Sequence, residues 1–167
     1  ARSRAVVILA LLCGAACGVV RPIPPREDVL RVGTSGDYPP FSLRAADGRY
    51  DGFDIAVARG YAAARGHRLE LVPFRWPELA ARLAAGDFDV AMSGVTVRAD
   101  RLLTGTMTAA VARADAVLLV RRDDAGRGSF DRRERRIAVN RGGHLERVAR
   151  ARLSHATIVA VDDNQSL

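Results

Sequence analysis

Small hydroxyl side chains, a glycine and an arginine follow one another at the end of a predicted strand. Apolar and polar residues alternate over residues 88–92, as in a half-buried strand, and Ser93, Gly94, Thr96 and Arg101 come next. Hydroxyls, open backbone amides and a guanidinium suit a small carboxylate, because arginine pairs with a carboxylate through two parallel hydrogen bonds. The alternative is that both hydroxyls satisfy a loop or cap a helix, and that the arginine is a surface charge.

Two further predicted strands end in groups of the same kind. The first is followed by a loop with Ser35, Asp37 and Tyr38, and another leads into Gly142 and Gly143, directly before a predicted helix. The free amides and the dipole at a helix N-terminus attract anions. Ligands of open parallel sheets bind beyond the carboxyl ends of the strands. We therefore expect these strand ends to form one binding rim, unless Tyr38 only covers the edge of the core.

Metal and nucleotide chemistry are not indicated. The histidines His67, His144 and His155 have no partner at the spacing of metal ligands. The pair Gly142 and Gly143 lacks the spacing of a dinucleotide-binding fingerprint. The sequence thus predicts neither a metal nor a cofactor.

The charge balance makes anionic partners worth considering. The chain has 26 basic residues, all arginine, against 19 acidic ones, a net charge of +7 and a pI near 10.8. Residues 121–141 are rich in arginine, but acidic residues are interleaved and no aromatic platform accompanies them. This composition favours a solvated loop over a nucleic-acid partner.

Strands and helices alternate along the chain, which predicts an α/β fold with a parallel sheet. The predicted strands are Val29–Gly33, Leu69–Phe74, residues 88–92, Ala116–Val120, Ile137–Asn140 and Thr157–Val161. The predicted helices are Asp54–Arg65, a segment from Pro77 to Gly86, and one that follows Gly143 and includes Leu153. A new helix is expected to begin in the last six residues.

The first 21 residues are typical of an export signal. Two arginines precede a short apolar run, and small residues follow it, as in a secretory signal peptide. Cys17 permits a lipoprotein leader as an alternative, and the protein would then contact the membrane through a lipid anchor. Residues 22–28 form a proline-rich linker. We therefore expect an extracytoplasmic, periplasmic location.

Three segments together resemble the extracytoplasmic solute-binding proteins of family 3. They are LRVGTSGDYPPFS (residues 30–42), DGRYDGFDIA (residues 47–56) and FDVAMSGVT (residues 88–96) followed by Arg101. The resemblance implies a two-lobed, type II periplasmic-binding fold that closes on its ligand. Its first lobe would span residues 29–112, and residues 113–167 would be a truncated second lobe.

The resemblance also implies a ligand and a partner. Family members bind amino acids and related ions, and many deliver them to the permease of an ABC importer. By this resemblance Arg101 would bind a ligand carboxylate, with hydroxyls and aromatic rings around it. The expected ligand-binding residues are Tyr38, Trp76, Ser93, Gly94, Thr96, Arg101, Gly143 and His144.

Two segments most resemble the cyclohexadienyl dehydratase branch of the family: residues 76–96 and residues 139–153. That branch converts prephenate to phenylpyruvate, or arogenate to phenylalanine, with loss of water and carbon dioxide. Glu146 matches the glutamate of its Gly-Gly-x-x-Glu motif and would be the general acid. Because a helix N-terminus favours the ionised carboxylate, lobe closure would have to raise the pKa of this acid.

Other residues depart from the dehydratase pattern. His144 and Leu145 replace Thr-Asn, Arg141 replaces a proline, and residues 107–111 replace Phe-Ser-x-Pro-Tyr. The alternative role for Glu146 is an ordinary glutamate in the first turn of a helix. The alternative function is a non-catalytic amino-acid receptor of an ABC importer.

Overall fold

The computed structural model describes residues 28–167, so the predicted leader (residues 1–21) and nearly all of the predicted linker lie outside the described residues. The strands are β1 (Val29–Thr34), β2 (Asp37–Tyr38), β3 (Ser42–Arg44), β4 (Tyr50–Asp51), β5 (Arg68–Pro73), β6 (Val90–Ala91), β7 (Arg136–Asn140) and β8 (Thr157–Val161). The helices are α1 (Phe53–Arg65), α2 (Leu79–Ala84) and α3 (His144–Arg152).

A parallel three-stranded sheet in the order β5-β1-β6 forms one half of the structure. Helix α1 packs its apolar face on this half through Ile55, Ala58 and Ala62, which are all buried. Gly66 ends α1 in the left-handed conformation at φ 68°, and its N–H donates to the carbonyl of Ala62. A small antiparallel sheet in the order β2-β3-β4 lies between β1 and α1 along the chain.

An aromatic core supports the open end of this sheet. Phe74, Trp76, Leu79 and Phe88 are buried together, and the Phe74 and Trp76 rings meet edge to face at 5.6 Å. The segment predicted as one helix from Pro77 to Gly86 is a 3-10 turn over Trp76–Glu78 followed by α2. Packing in this core therefore fixes the position of Trp76 next to the ends of the strands.

The other half is a parallel pair, β7 and β8, joined by α3. The carboxylate of Asp131 anchors the turn before β8, because it accepts hydrogen bonds from the backbone N–H groups of His155 and Ala156, at 2.6 and 2.9 Å. A hydrogen bond with the His155 side chain, and then these backbone bonds, hold the pKa of Asp131 below its ordinary value. Strand β7 ends at Asn140, which places the N-terminus of α3 beside the aromatic core of the first half.

Close contacts join the two halves. The backbone N–H of Asn164 donates to Asp37 Oδ2 at 3.0 Å, across 127 positions of sequence. Gly142 has φ 72° and lies so close to Pro77 that an added Cβ would come within 2.9 Å of the proline Cα. The proposed lobe boundary between residues 112 and 113 stays a prediction.

One predicted element is wrong. Ala116–Val120 forms no strand, because no neighbouring strand among the described residues pairs with it, and Leu119 is 100% exposed. Where a new helix is expected to begin, the structure has a 3-10 turn over Asn164–Ser166, capped by Asp163. The strand predicted over residues 88–92 shortens to two residues, since β1 is its only partner in the described sheet. Within residues 28–167, none of the helices combines the length and the apolar character that a membrane span requires.

Candidate functional site

Strand β6, the end of β7 and Tyr38 of β2 line a cleft of about 1000 Å³. The extended segment of residues 104–116 borders another side of this cleft. Seven of the nine residues singled out from the sequence line it: Tyr38, Trp76, Gly94, Thr96, Arg101, Gly143 and His144. Those of the first half meet because parallel strands bring their carboxyl ends to one edge of a sheet, whereas Gly143 and His144 follow β7 of the separate parallel pair.

Arg101 is a half-buried cation of the cleft, whose lining also includes Arg31 and Arg113. It begins a 3-10 turn, its Nη1 donates to the carbonyl of Thr96 at 2.9 Å, and its Cζ lies 5.8 Å from the centre of the Trp76 ring. Burial lowers the pKa of this guanidinium from its ordinary value, and the positive charge of Arg98 adds to that effect. Arg101 forms no ion pair with any residue from 28 to 167. The half-buried guanidinium is thus held in place without an ion pair among the described residues, and the charge of the neighbouring Asp100 only partly offsets its burial.

Trp76 and Tyr38 form a fixed aromatic wall. Trp76 is only 7% exposed and meets the Tyr38 ring edge to face at 5.9 Å. Its Nε1–H donates to Asp37 Oδ1 at 3.2 Å. Asp37 also accepts a hydrogen bond from the backbone N–H of Asn164. Its carboxylate is therefore used within the protein and is not free to bind a ligand.

Gly94 provides room for that wall. Its φ is +63°, and an added Cβ would lie 2.7 Å from the Phe41 ring and 2.8 Å from the Tyr38 ring. Its N–H donates to Oδ2 of the buried Asp54 at 2.6 Å. The amide expected to face the ligand is therefore already used inside the protein, by an acid that sequence patterns did not single out.

Ser93 does not line the cleft. Its side chain is 0% exposed, and its Oγ accepts the Ser35 N–H at 3.1 Å and lies 2.7 Å from the Ser35 Oγ. Through these hydrogen bonds the Ser93 hydroxyl connects the loop after β6 with the loop after β1. The structure therefore matches the alternative role stated for Ser93, satisfaction of a loop, and not the role of a lining group.

The N-terminus of α3 carries unpaired polar atoms. Gly143 is its N-cap, no side chain caps the helix, and His144 is its first residue. Neither His144 Nδ1 nor Nδ2 of the nearby Asn140 has a hydrogen-bond partner in the described part of the chain. Burial, together with the charges of Arg98, Arg101 and Arg147, lowers the pKa of His144. Asn140 also lines the cleft, and its only sequence signal is an amide at the end of a buried strand.

Metal binding has no support in the described residues. No group of three or more His, Cys, Asp and Glu side chains among residues 28–167 is placed to hold an ion. The histidines lie on separate elements: His67 follows α1, His144 begins α3 and His155 precedes β8.

Glu146 lies in the first turn of α3 but outside the lining of the cleft. Its carboxylate accepts the Gly142 N–H at 2.7 Å and two guanidinium hydrogen bonds from Arg150, at 2.8 and 3.0 Å. These bonds, that of Gly142 first, lower the pKa of Glu146 and favour its ionised form. A general acid must instead hold a proton and face the substrate. The catalytic role of Glu146 stays a prediction, which this geometry does not favour.

We expect Glu146→Gln to destabilise the fold by about 1 kcal/mol, because the ionised carboxylate binds the N-terminal turn of α3. Since folding lowers this pKa, the stabilisation is complete above the ordinary value of 4.5 and is lost as the pH falls through the lowered value. Urea unfolding at about pH 7 and about pH 3 measures this difference, which should shrink at the lower pH.

Glu134→Gln removes an equivalent charge from an exposed loop position and serves as the control. Equal effects of the two substitutions at neutral pH would show that Glu146 does not stabilise the helix.

Comparison with known proteins agrees with this architecture. Residues 30–157 match the family model of bacterial extracellular solute-binding proteins, family 3. The chain belongs to this family. It has the type II periplasmic-binding fold, as the solved structures that it resembles do.

Cyclohexadienyl dehydratase of Pseudomonas aeruginosa is 35% identical to this family-3 chain over 143 residues, which are 83% of the chain and 53% of the relative. The L-cystine-binding protein TcyJ of Escherichia coli K12 is 26% identical over 88% of the chain and 56% of the relative. The crystal structure of AncCDT-1, an ancestral amino acid-binding protein and precursor of cyclohexadienyl dehydratase, superposes with a TM-score of 0.79 at 34% identity, over 83% of the chain and 63% of that structure. The chain therefore spans about half the length of the curated relatives that it matches.

Proposed function

We propose that this family-3 protein captures a small, amino-acid-like carboxylate and that Arg101 binds the carboxylate group. The observation that carries the proposal is the Arg101 guanidinium, which is half-buried in the cleft over Trp76 and forms no ion pair among the described residues. Asp100, the acid that acts on it electrostatically, is paired with Arg98 and Arg147. A charge removed from water is costly unless an opposite charge accompanies it. A ligand carboxylate supplies that charge.

The surroundings of Arg101 support a small-molecule ligand. A cleft of about 1000 Å³ is at the upper end of the range for small-molecule sites. The aromatic wall of Tyr38 and Trp76 offers apolar contact, and the N-terminus of α3 offers a positive dipole. Thr96 fixes the guanidinium through its carbonyl, so its hydroxyl is not needed for that task.

The role of a non-catalytic receptor is the form of this function that the geometry favours. Glu146 is paired with Gly142 and Arg150, and no step of ligand capture needs it. The family is described as extracellular, and the L-cystine-binding relative is a binding protein. We infer that the protein acts outside the cytoplasm, where the export signal predicted over residues 1–21 would direct it, and that an ABC importer permease is its partner.

A dehydratase acting on prephenate or arogenate is the second candidate. It is favoured by the 35% identity to the Pseudomonas aeruginosa dehydratase. Incubation of the purified chain with prephenate should yield phenylpyruvate if this activity is present, and Glu146→Gln should abolish it. Saturable binding of an amino acid without turnover assigns the receptor role.

The capture of a carboxylate is tested by calorimetric titration of the full chain with L-amino acids and with the corresponding amino-acid amides. The amides keep the side chain and the amino group but lack the carboxylate that Arg101 would bind. We expect amino acids to bind at least about tenfold more tightly than their amides, since an arginine–carboxylate pair contributes more than a neutral hydrogen bond. Equal affinity for both series would refute the assignment of Arg101.

A further inference from the structure

Two polar side chains beside the N-terminus of α3, those of Asn140 and His144, are not used when Arg101 binds one carboxylate. Asn140 is 4% exposed, lines the cleft, and its Nδ2 has no hydrogen-bond partner among the described residues. Buried polar atoms are nearly always paired, so an orphaned amide beside a cleft requires an explanation. A ligand acceptor atom provides one.

His144, which also lines the cleft, has an unpaired polar atom as well. Its Nδ1 is also buried without a partner, and the ring lies at the first residue of α3. A neutral imidazole with its proton on Nδ1 donates one hydrogen bond there. Two orphaned donors thus flank Gly143, whose own lack of a side chain keeps this corner open, since an added Cβ would lie 3.1 Å from Asn140 Oδ1.

The charges around His144 determine which kind of ligand group can bind there. Arg98, Arg101 and Arg147 all act on the ring electrostatically. One acid, Asp100, pairs with both Arg98 and Arg147. An excess of positive charge therefore surrounds the orphaned donors. An anionic group is stabilised at this corner, whereas an ammonium or guanidinium group is repelled.

We propose that Asn140 and His144 form a second acceptor subsite, which makes the protein selective for amino-acid-like ligands whose side chain carries an acidic group. The inference rests on the proposed capture of a carboxylate by Arg101. Both donor atoms are covered in the structure, and rotation of the Asn140 amide about its soft χ2 torsion turns Nδ2 toward the ligand. The two residues are specificity-determining and take no part in any covalent step.

The experiment is calorimetric titration of the full chain with matched L-amino acids. L-Aspartate and L-glutamate carry the side-chain acid, L-2-aminobutyrate and L-norvaline keep the carbon chain without it, and L-arginine carries a cation instead. We expect each acidic ligand to bind at least about tenfold more tightly than its apolar counterpart, because hydrogen bonds to charged groups are the stronger ones. L-Arginine should bind most weakly.

Asn140→Leu and His144→Leu should each reduce this preference about tenfold, because each removes one hydrogen-bond donor to the side-chain acid. His67→Leu is the matched control, because His67 Nδ1 is also buried and unpaired but lies outside the cleft lining. Circular dichroism checks that each variant is folded. If Asn140→Leu does not fold, the ligand preference of His144→Leu alone tests the subsite.

Tightest binding of L-arginine would overturn the subsite and leave carboxylate capture intact. So would an unchanged preference in both cleft variants, or its equal loss in His67→Leu. Failure of the wild-type chain to bind any of the five amino acids would instead overturn the proposed function itself, and the subsite with it.

Discussion

Replacing Arg101 with methionine is expected to weaken binding of the carboxylate ligand by about a hundredfold, because truncating one partner of a largely desolvated charge pair costs several kcal/mol. The same change should leave the folded chain as stable as the wild type, or more stable. This guanidinium is half-buried, donates a hydrogen bond to the Thr96 carbonyl and forms no ion pair among the described residues, and the charge of Asp100 only partly offsets its burial. Methionine keeps the apolar contact with Trp76 and removes the buried charge.

Calorimetric titration and urea unfolding measure the two effects on the same samples. Arg133→Met is the matched control, since it removes the same charge from an exposed residue with no ion pair in the described structure. Arg101→Lys keeps the charge but not the planar fork, and should recover only part of the affinity. Unchanged affinity in Arg101→Met, or loss of stability without loss of binding, would show that the cation serves the fold and not the ligand.

Gly94→Ala should destabilise the fold by roughly 2–4 kcal/mol and also weaken ligand binding. Part of this loss, about 1 kcal/mol, is the cost of placing a Cβ at a φ of +63°. The remainder, about 1–3 kcal/mol, arises because the new methyl group would overlap the Phe41 and Tyr38 rings, which must move. Since Tyr38 is part of the aromatic wall, its displacement changes the shape of the cleft.

Gly66→Ala separates these two causes. Gly66 has φ +68°, but an added Cβ there meets no atom within 4 Å, and the residue lies outside the cleft lining. It should therefore show only the backbone cost of about 1 kcal/mol and unchanged ligand affinity. If urea unfolding gave equal losses for both glycines, the contact of Gly94 with the aromatic rings would contribute nothing to stability.

Much of the fold follows from local pattern. The predicted strand Thr157–Val161 has the observed bounds, and the observed α1 begins one residue before the prediction. In these segments apolar residues recur at a regular spacing, and residues that favour the end of an element follow them, such as the left-handed glycine after α1. Ala116–Val120 has the same apolar composition as a strand, but a strand also needs a neighbour, and composition does not reveal one.

The candidate site, like the fold, could be predicted only in part. The grouping of Tyr38, Thr96, Arg101 and His144 on one cleft was predictable, since each follows or lies near the carboxyl end of a strand in a parallel arrangement. The use of each polar atom was not predictable from position alone. Ser93 and Ser35 are 58 residues apart, and the structure joins their hydroxyl groups.

The order of the elements, the family and the strand ends at which polar groups gather could therefore be read from local periodicity and from motifs. Which of those groups remain available to a ligand depends on tertiary packing. The structure pairs Glu146 with Gly142 and Arg150, and it leaves Arg101 and Asn140 without a charged or hydrogen-bonding side-chain partner in the described residues. The physical reason is that a hydrogen bond or ion pair depends on distances of about 3 Å between atoms of separate elements, which packing sets and one-dimensional spacing does not.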